Sequence, residues 1–180
     1  MIILITGGTN GLGRLTAKNL IEQDHTVIIT GRSQCSLDAA RQFIITDPAK
    51  DSHLHELIID LADLKAMTQA VQQLKFQSID VVVHNAGGVM AHFEHIGDSE
   101  ATVFTNAIGP LYLHTLLIPL VEKSTHSSRR ILFVTSSLHD PNVTGGSRSE
   151  SSRIPASVEL QDLKGRDWDG MKYYRISKLG

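Results

Sequence analysis

Short apolar runs alternate with longer amphipathic segments along most of this chain, and this alternation limits the fold more than any other feature. The runs predict strands at Ile2–Ile5, Val27–Ile29, Leu57–Ile59, Ile79–Val83 and Ile131–Val134. The segments between them have helical spacing and predict helices over about 11–23, 36–45, 63–76 and 99–123. Such alternation indicates right-handed crossovers and a parallel sheet covered on both faces. We therefore predict a doubly wound α/β fold, with ligands at the carboxyl ends of the strands.

Size and composition favour one soluble domain that spans residues 1–180. Of the 180 residues, 41% are hydrophobic and 20% are charged, and a chain of this length buries roughly 70% of the surface that its unfolded form exposes. The 17 basic and 19 acidic residues leave a net charge of -2, which gives no electrostatic reason to expect nucleic acid or an anionic membrane as a partner. Residues 138–168 are rich in Pro, Gly, Ser and Arg, so we expect a long loop there.

The sequence predicts neither export nor a membrane span. Its N-terminus lacks the basic flank and the apolar length of a signal peptide. The longest apolar stretch, Leu111–Val121, contains His114 and Pro119 and is too short to cross a bilayer. Cys35 is the only cysteine, so no internal disulfide can form. We expect a cytoplasmic protein that could form a homo-oligomer.

A glycine-rich segment joins the first predicted strand to the first predicted helix. It reads Thr6-Gly7-Gly8-Thr9-Asn10-Gly11-Leu12-Gly13. Glycine permits a tight turn and lets the backbone approach a pyrophosphate, while the N-terminus of the following helix offers N–H groups and a positive dipole end. A glycine pattern alone is a weak signal, but this one lies between a strand and a helix, where phosphate binding needs it. The alternative is a glycine-rich turn of another α/β fold.

Tyr174 and Lys178 stand four residues apart near the end of the sequence. On a helix, residues at this spacing share a face. A free phenol titrates near pH ~10, and a neighbouring cation favours its ionised form. The pair could therefore donate and accept a proton at cellular pH. Tyr173 is the rival phenol, but five residues separate it from Lys178, so it would point in a different direction.

Five motifs, in this order along the chain, resemble those of the short-chain dehydrogenases/reductases. They are the glycine-rich segment, Asn85-Ala86-Gly87, Asn106 in the long predicted helix, Ser136-Ser137, and the pair Tyr174 and Lys178. The resemblance covers the chain from its first residue to its last. It implies a Rossmann-like fold and a hydride transfer between a nicotinamide cofactor and a carbonyl or alcohol. The long interval from Ser137 to Tyr174 resembles the retinol dehydrogenase and protochlorophyllide reductase branch, which implies an apolar substrate.

The resemblance also implies roles for individual residues. Tyr174 would be the acid in reduction and the base in oxidation, assisted by Lys178, which would also hold the nicotinamide ribose. Ser137 would donate a hydrogen bond to the substrate oxygen. Ser136 is the alternative, and alternation along a strand lets only one of the two serines face the site. Asn106 would hold a water that connects Lys178 to solvent. The family's cofactor-binding positions correspond to Gly7, Thr9, Asn10, Gly11, Leu12, Gly13, Asp60, Leu61, Asn85, Ala86 and Gly87.

Arg32 follows the second predicted strand and favours NADP over NAD. An acidic residue at this point would bind the ribose 2′-hydroxyl of NAD, whereas a guanidinium can bind a 2′-phosphate through two hydrogen bonds. The second basic residue that NADP enzymes often carry in the glycine-rich segment is absent, since Asn10 occupies that region. Asp60 resembles the aspartate that holds the adenine ring, but aspartate also caps helices and forms turns. Asn106 could equally be a packed polar residue, and Asn85 could cap a turn.

Other interpretations stay open at this point. His53 with His55 and His92 with His95 lack a third ligand at suitable spacing, so we expect no metal site. Family members continue well beyond the lysine of the Tyr–Lys pair. We therefore expect this sequence to be part of a longer enzyme, with the later strands of the family fold absent, the fifth strand at a sheet edge and poor activity on its own. The alternatives are a non-catalytic dinucleotide-binding module and a fragment that pairs with another subunit.

Overall fold

The computed structural model describes residues 1–140, 154 and 157–179, so the predicted loop at 138–168 lies partly outside the described residues. In chain order, the helices and strands are β1 (Ile2–Ile5), α1 (Gly11–Glu22), β2 (Thr26–Gly31), α2 (Gln34–Ile44), β3 (Leu54–Ile58), α3 (Leu64–Gln72), β4 (Val81–His84), β5 (His95–Ile96), β6 (Ser99–Glu100), α4 (Ala101–Val103), α5 (Gly109–Glu122), β7 (Arg130–Phe133) and α6 (Gly170–Ser177). A π-helical segment, Phe104–Ile108, connects α4 to α5.

Five parallel strands form one sheet in the order β3-β2-β1-β4-β7. At the centre of the sheet, Ile3 of β1 pairs with Val27 of β2 on one side and with Val81 of β4 on the other. The chain moves outward from β1 to β3 and then returns to the other side of β1, so the strand order reverses between β1 and β4. Ligands of doubly wound folds bind at this reversal. The predicted fold class is confirmed, and β7 lies at an edge of the sheet.

The chain divides into two compact units. The first contains Met1–Ala86 and Leu113–Val134 and holds the whole five-stranded sheet. The second contains Gly87–Tyr112 and Thr135–Gly180 and holds the short antiparallel pair β5–β6, α4 and α6. The expectation of a single domain over residues 1–180 stays a prediction.

The first unit has an apolar core that covers both faces of its sheet. Ile3 and Ile5 alternate with Leu4 along β1, and all three are 3% exposed or less. Strands buried on both faces are expected of a parallel sheet, which explains why these runs are continuously apolar. On one side, the core contains Ile3, Ile5, Ala17, Ile21, Val27, Ile29, Leu37, Ala40, Ile44, Leu54 and Val81. Full burial of one such large aliphatic side chain contributes about 1.5–3 kcal/mol.

The second unit is organised around a buried carboxylate. Glu100 is 0% exposed, and its Oε2 accepts hydrogen bonds from the N–H groups of Thr102 (2.8 Å) and Val103 (3.0 Å), which caps α4. Its Oε1 accepts from the Thr102 hydroxyl and from the Trp168 indole, both at 2.9 Å. Glu100 therefore anchors Trp168, which lies two residues before α6. The apolar core beside it contains Val103, Ile154, Tyr173 and Ile176.

Several boundaries differ from the sequence prediction, including those of the third strand and the third helix. The third strand begins at Leu54 rather than Leu57. Arg41 of α2 makes this possible, since its guanidinium pairs with Glu56 at 2.6 Å and donates to the Leu54 carbonyl at 2.8 Å, so a polar residue is accommodated in the strand. The third helix ends at Gln72, four residues before the predicted end. The last helix begins at Gly170, because the Asp169 carboxylate accepts from the N–H groups of its first turn.

The helical run Ala101–Glu122 is 22 residues long, has a mean hydropathy of 1.3 and is 33% buried in its most apolar part. By length and composition it could cross a membrane, and core helices of soluble proteins reach the same length and apolar content. The run also contains the π-helical segment and the polar residue Asn106. One such helix is a weak indication of a span, and the expected absence of a span stays a prediction.

His84 is a buried histidine at the end of β4. It is 3% exposed, its ring stacks on Phe133 with centroids 4.5 Å apart, and the His114 ring lies 5.8 Å away. Neither ring nitrogen of His84 has a hydrogen-bond partner among the described residues. Burial lowers the pKa of His84 from 6.5 to about 4, with a smaller contribution from His114. The folded protein therefore favours the neutral ring.

We expect acid to destabilise the protein through His84. The unfolded chain binds a proton at this residue near pH 6.5, whereas the folded chain resists it down to a pKa of about 4. The contribution of His84 to the free energy of unfolding is complete above pH 6.5. It is lost as the pH falls toward 4, by about 3 kcal/mol in all. Urea unfolding of wild type and His84→Phe at neutral and acidic pH would measure it.

The His84→Phe variant should lose less stability than wild type over that pH range, because its ring cannot be protonated. His92→Phe is the control, since His92 is exposed and its replacement should leave the acid sensitivity unchanged. Identical pH dependence in wild type and His84→Phe would contradict the prediction.

Candidate functional site

Contacts with β2 hold the glycine-rich segment at the carboxyl end of β1. The N–H of Gly8 donates to the Thr30 carbonyl at 3.1 Å, and the N–H of Gly7 donates to the Thr30 hydroxyl at 3.3 Å. Gly7 and Gly11 have φ angles of 65° and 51°, a region that glycine enters at little cost. Asn10 caps α1, and its Oδ1 accepts from the Gly11 N–H at 2.8 Å.

The same segment has no room for side chains at two of its glycines. A Cβ on Gly13 would lie 2.5 Å from Asn85 Nδ2 and 2.5 Å from the Gly7 carbonyl oxygen, and one on Gly8 would lie 2.5 Å from Ile29 Cγ2. The first turn of α1 therefore packs directly against the segment. N–H groups in the first turn of a helix have no acceptor inside the helix. A bare backbone beside such groups is the arrangement that binds a pyrophosphate.

Asn85 and Ala86 brace this segment. Asn85 Nδ2 donates to the carbonyls of Thr6 (3.0 Å) and Gly7 (3.4 Å). In return, the Thr6 hydroxyl accepts from the N–H groups of Asn85 and Ala86, both at 3.0 Å. The two residues thus fix the shape of the segment, and a direct contact of either with a dinucleotide stays a prediction. Thr9 packs against the end of β2, where a Cβ on Gly31 would lie 2.5 Å from Thr9 Cγ2.

Arg32, which follows β2, is exposed, whereas Asp60, which follows β3, makes a local hydrogen bond. Arg32 is exposed in the bend between β2 and α2, next to Ser33, which caps α2. Asp60 lies two residues beyond β3, not at its end, and its Oδ1 accepts from the Ala62 N–H at 2.9 Å. This is the local turn that the sequence left open as an alternative. Leu61 is 9% exposed, so its side chain packs inside the first unit.

The second unit places Tyr174 and Lys178 at the C-terminal end of α6, where Lys178 is the C-cap. Lys178 Nζ lies 5.9 Å from the centroid of the Tyr174 ring. Lys178 is only 8% exposed, and burial lowers the pKa of its amine from 10.5. The four-residue spacing therefore places the amine of Lys178 beside the phenol of Tyr174, and the fold around them buries Lys178.

Tyr173 is unsuited to proton exchange. It is 0% exposed, and its hydroxyl donates to the carbonyls of Asp162 (2.6 Å) and Arg166 (3.0 Å). Burial, with a smaller effect of the Asp162 charge, raises the pKa of Tyr173 to about 12. Tyr174, which is only partly buried, is therefore the candidate acid.

Asn106 and Gly87 shape the surroundings of Lys178. Asn106 Nδ2 donates to the Gly88 carbonyl (2.8 Å) and to the Ser177 hydroxyl (3.0 Å), while its Oδ1 accepts from the Gly88 N–H (3.0 Å). A Cβ on Gly87 would lie 3.0 Å from Lys178 Nζ and 3.3 Å from Asn106 Oδ1. The missing side chain of Gly87 thus gives the buried amine its space. The water predicted at Asn106 stays a prediction.

The two serines are distinguished by a turn, not by strand alternation. β7 ends at Phe133, so Ser136 and Ser137 lie beyond the strand, and alternation along a strand does not choose between them. Ser136 caps the 3-10 turn Ser137–His139, and its hydroxyl accepts from the Leu138 N–H at 3.3 Å. Ser137 is exposed. The hydroxyl of Ser136 is occupied locally, which leaves Ser137 as the candidate to contact a substrate.

Sequence reasoning missed several residues that organise the site. They are Gly88 and Ser177, which bind Asn106, and Arg175, which binds the turn after Ser137. The only sequence signal for Ser177 and Arg175 is their position between Tyr174 and Lys178. Within the described ranges, no three His, Cys, Asp or Glu side chains lie close enough to hold a metal ion.

Fold and site together define a Rossmann-type α/β protein that carries a Tyr–Lys pair. Residues 1–148 match the model of the short chain dehydrogenase family, and the chain belongs to this family.

Individual relatives agree with the family assignment. A short-chain dehydrogenase/reductase of Phomopsis amygdali is 30% identical over 189 residues, which cover 99% of this chain and 53% of the relative. The chloroplastic protochlorophyllide reductase of Pisum sativum is 28% identical over 201 residues, 98% of this chain and 48% of the relative. The solved structure of a short chain dehydrogenase from Escherichia coli complexed with NADPH has a TM-score of 0.71 at 22% identity and covers 98% of this chain and 65% of that one. This chain spans about half the length of the curated relatives it matches.

Proposed function

We propose that this protein is an NADP-dependent oxidoreductase that acts on a carbonyl or alcohol group of an apolar small molecule. The observation that carries the proposal is the burial of the Lys178 amine beside Gly87 and Asn106, 5.9 Å from the Tyr174 ring. A chance Tyr–Lys pair on a helix surface would leave the amine in water. A cation buried next to a phenol instead serves proton transfer.

The residues of the second unit divide the proton chemistry among them. In reduction, Tyr174 donates its proton to the substrate oxygen, and in oxidation it takes the proton back. Lys178 stabilises the ionised phenol that forms when Tyr174 gives up its proton. Ser137 donates a hydrogen bond to the substrate oxygen as negative charge develops there. When bound, NADPH supplies the hydride, so one hydride on carbon and one proton on oxygen convert a carbonyl into an alcohol.

In this proposal, the first unit binds the nucleotide cofactor. The glycine-rich segment and the N-terminus of α1 would bind the pyrophosphate, and Arg32 would bind the 2′-phosphate. The fold is that of an Escherichia coli short chain dehydrogenase solved with NADPH, which supports this cofactor. The similarity to protochlorophyllide reductase supports an apolar substrate.

A turnover assay tests the proposal. The protein is mixed with NADPH and a panel of apolar aldehydes and ketones, and the loss of nicotinamide absorbance is followed. We expect consumption of NADPH that depends on both protein and carbonyl. Binding is measured in parallel by energy transfer from Trp168 to NADPH. Binding without consumption of any carbonyl would favour a non-catalytic dinucleotide-binding module instead.

Arg32 should set the preference between the two dinucleotides. We expect Arg32→Ala to weaken NADPH binding by about 10- to 100-fold, because a charge-assisted hydrogen bond to phosphate contributes about 1.5–3 kcal/mol. NADH binding should stay the same, since NADH lacks the 2′-phosphate. Titration of each dinucleotide by Trp168 energy transfer measures both. Arg166→Ala is the control, because Arg166 is also an exposed arginine, and equal losses for NADPH and NADH would contradict the role of Arg32.

A further inference from the structure

Arg175 lies on α6 between Tyr174 and Lys178, and it is 1% exposed. Its Nε donates to the Leu138 carbonyl at 2.8 Å, and its Nη2 donates to the Asp140 carbonyl at 3.4 Å. A buried cation is costly unless hydrogen bonds compensate its lost hydration. Here the guanidinium donates hydrogen bonds to two main-chain oxygens that lie 35 and 37 residues away in sequence.

Both acceptors belong to the turn that begins at Ser137. Within that turn, the His139 N–H donates to the Ser136 carbonyl and the Asp140 N–H donates to the Ser137 carbonyl, both at 3.1 Å. Arg175 binds the next carbonyl, that of Leu138, and then that of Asp140. The guanidinium therefore joins the helix of the candidate acid to the turn of the candidate substrate-binding serine.

We propose that Arg175 is a positioning residue that fixes the Ser137 hydroxyl relative to Tyr174. This inference rests on the proposed function, in which both hydroxyls act on one substrate oxygen. The guanidinium is suited to the task because its N–H donors form a rigid planar fork, whereas a lysine amine is a single flexible point. A misplacement of about 1 Å between reacting groups can lower a rate by about 100-fold.

Two substitutions distinguish a positioning role of Arg175 from a role in core packing alone. Arg175→Met keeps an unbranched stem in the interior and removes the donors, and replacement of a buried charge by an apolar group of similar size is often tolerated. Arg175→Lys keeps the charge and can replace only part of the fork. Arg166→Met is the matched control, because this arginine of the same unit has a side chain that is 68% exposed.

Kinetics in two backgrounds test the connection to Ser137. We expect Arg175→Met to lower kcat by about 10- to 100-fold and to leave the KM for NADPH within about two-fold of wild type. In a Ser137→Ala background, the same substitution should lower kcat by less than about three-fold, because the hydroxyl that Arg175 positions is gone. Arg175→Lys should recover part of the lost rate. An equal loss in both backgrounds would overturn the proposal.

Hydrogen exchange tests the same contact without any turnover. We expect the amides of His139 and Asp140 to exchange about ten-fold faster in Arg175→Met than in wild type, while the amides of α1 stay unchanged. Unchanged exchange at these two amides would overturn the proposal. If the wild-type protein consumes no carbonyl, the proposed function fails, and the exchange rates still decide whether Arg175 holds the turn.

Discussion

Tyr174→Phe is expected to slow hydride transfer by about 10²–10⁴-fold, the usual contribution of a positioned general acid. The substitution removes one hydroxyl and keeps the ring, so α6 and the packing around Lys178 should be unaffected. NADPH affinity should stay within about two-fold of wild type, since the proposed sites for the pyrophosphate and the 2′-phosphate lie in the first unit. The assay is the consumption of NADPH with the best carbonyl of the panel, beside the Trp168 binding titration.

Tyr173→Phe is the matched control on the neighbouring residue. It removes hydrogen bonds to the carbonyls of Asp162 and Arg166 and should lower the free energy of unfolding by about 0.5–1.5 kcal/mol, because these carbonyls lose a hydrogen-bond donor. The kcat of the folded variant should stay within about three-fold of wild type. A loss of rate in Tyr173→Phe as large as that in Tyr174→Phe would contradict the choice between the two phenols.

Gly13→Ala should weaken the proposed binding of NADPH to the glycine-rich segment. The new Cβ would lie 2.5 Å from Asn85 Nδ2 and 2.5 Å from the Gly7 carbonyl oxygen, so the backbone of the glycine-rich segment must move. Overpacking of this kind typically costs about 1–3 kcal/mol. The displacement also changes the backbone that would contact the pyrophosphate, so we expect NADPH binding to weaken by at least about ten-fold. Urea unfolding and the binding titration measure the two effects.

Gly97→Asn is the control for this prediction. Gly97 has a φ of 59° and no atom within 4 Å of an added Cβ, and it lies outside the glycine-rich segment. Asparagine tolerates this backbone region better than most residues, so we expect a cost of less than about 1 kcal/mol of stability and unchanged NADPH binding. If Gly13→Ala binds NADPH as tightly as Gly97→Asn, the close packing of α1 on the segment does not matter for binding.

The fold was predictable because its signals are local. The apolar runs of β1, β2 and β4 are buried on both faces, and the glycine-rich segment stands between a strand and a helix. The ends of elements were harder, because distant groups decide them. Glu56 of β3 pairs with Arg41 of α2, and no local pattern shows this contact.

The sequence motifs indicated the residues of the candidate site, but not the contacts that hold those residues in place. Tyr174 and Lys178 follow from helical spacing, but the choice between Ser136 and Ser137 depends on a turn beyond the strand. Arg175 shows the limit most clearly. In the sequence it is one of many charged residues, and its role depends on carbonyls that become neighbours only after folding.

The hydrogen bond between Trp168 and Glu100 has a practical consequence. Trp168 is the only tryptophan of the chain, and its indole is tied to a carboxylate that also caps α4. Its intrinsic emission is therefore an optical reporter on the second unit, whereas circular dichroism samples the helices of both. Denaturation curves from the two signals would coincide if the units melt together, and would separate if one loses its structure first.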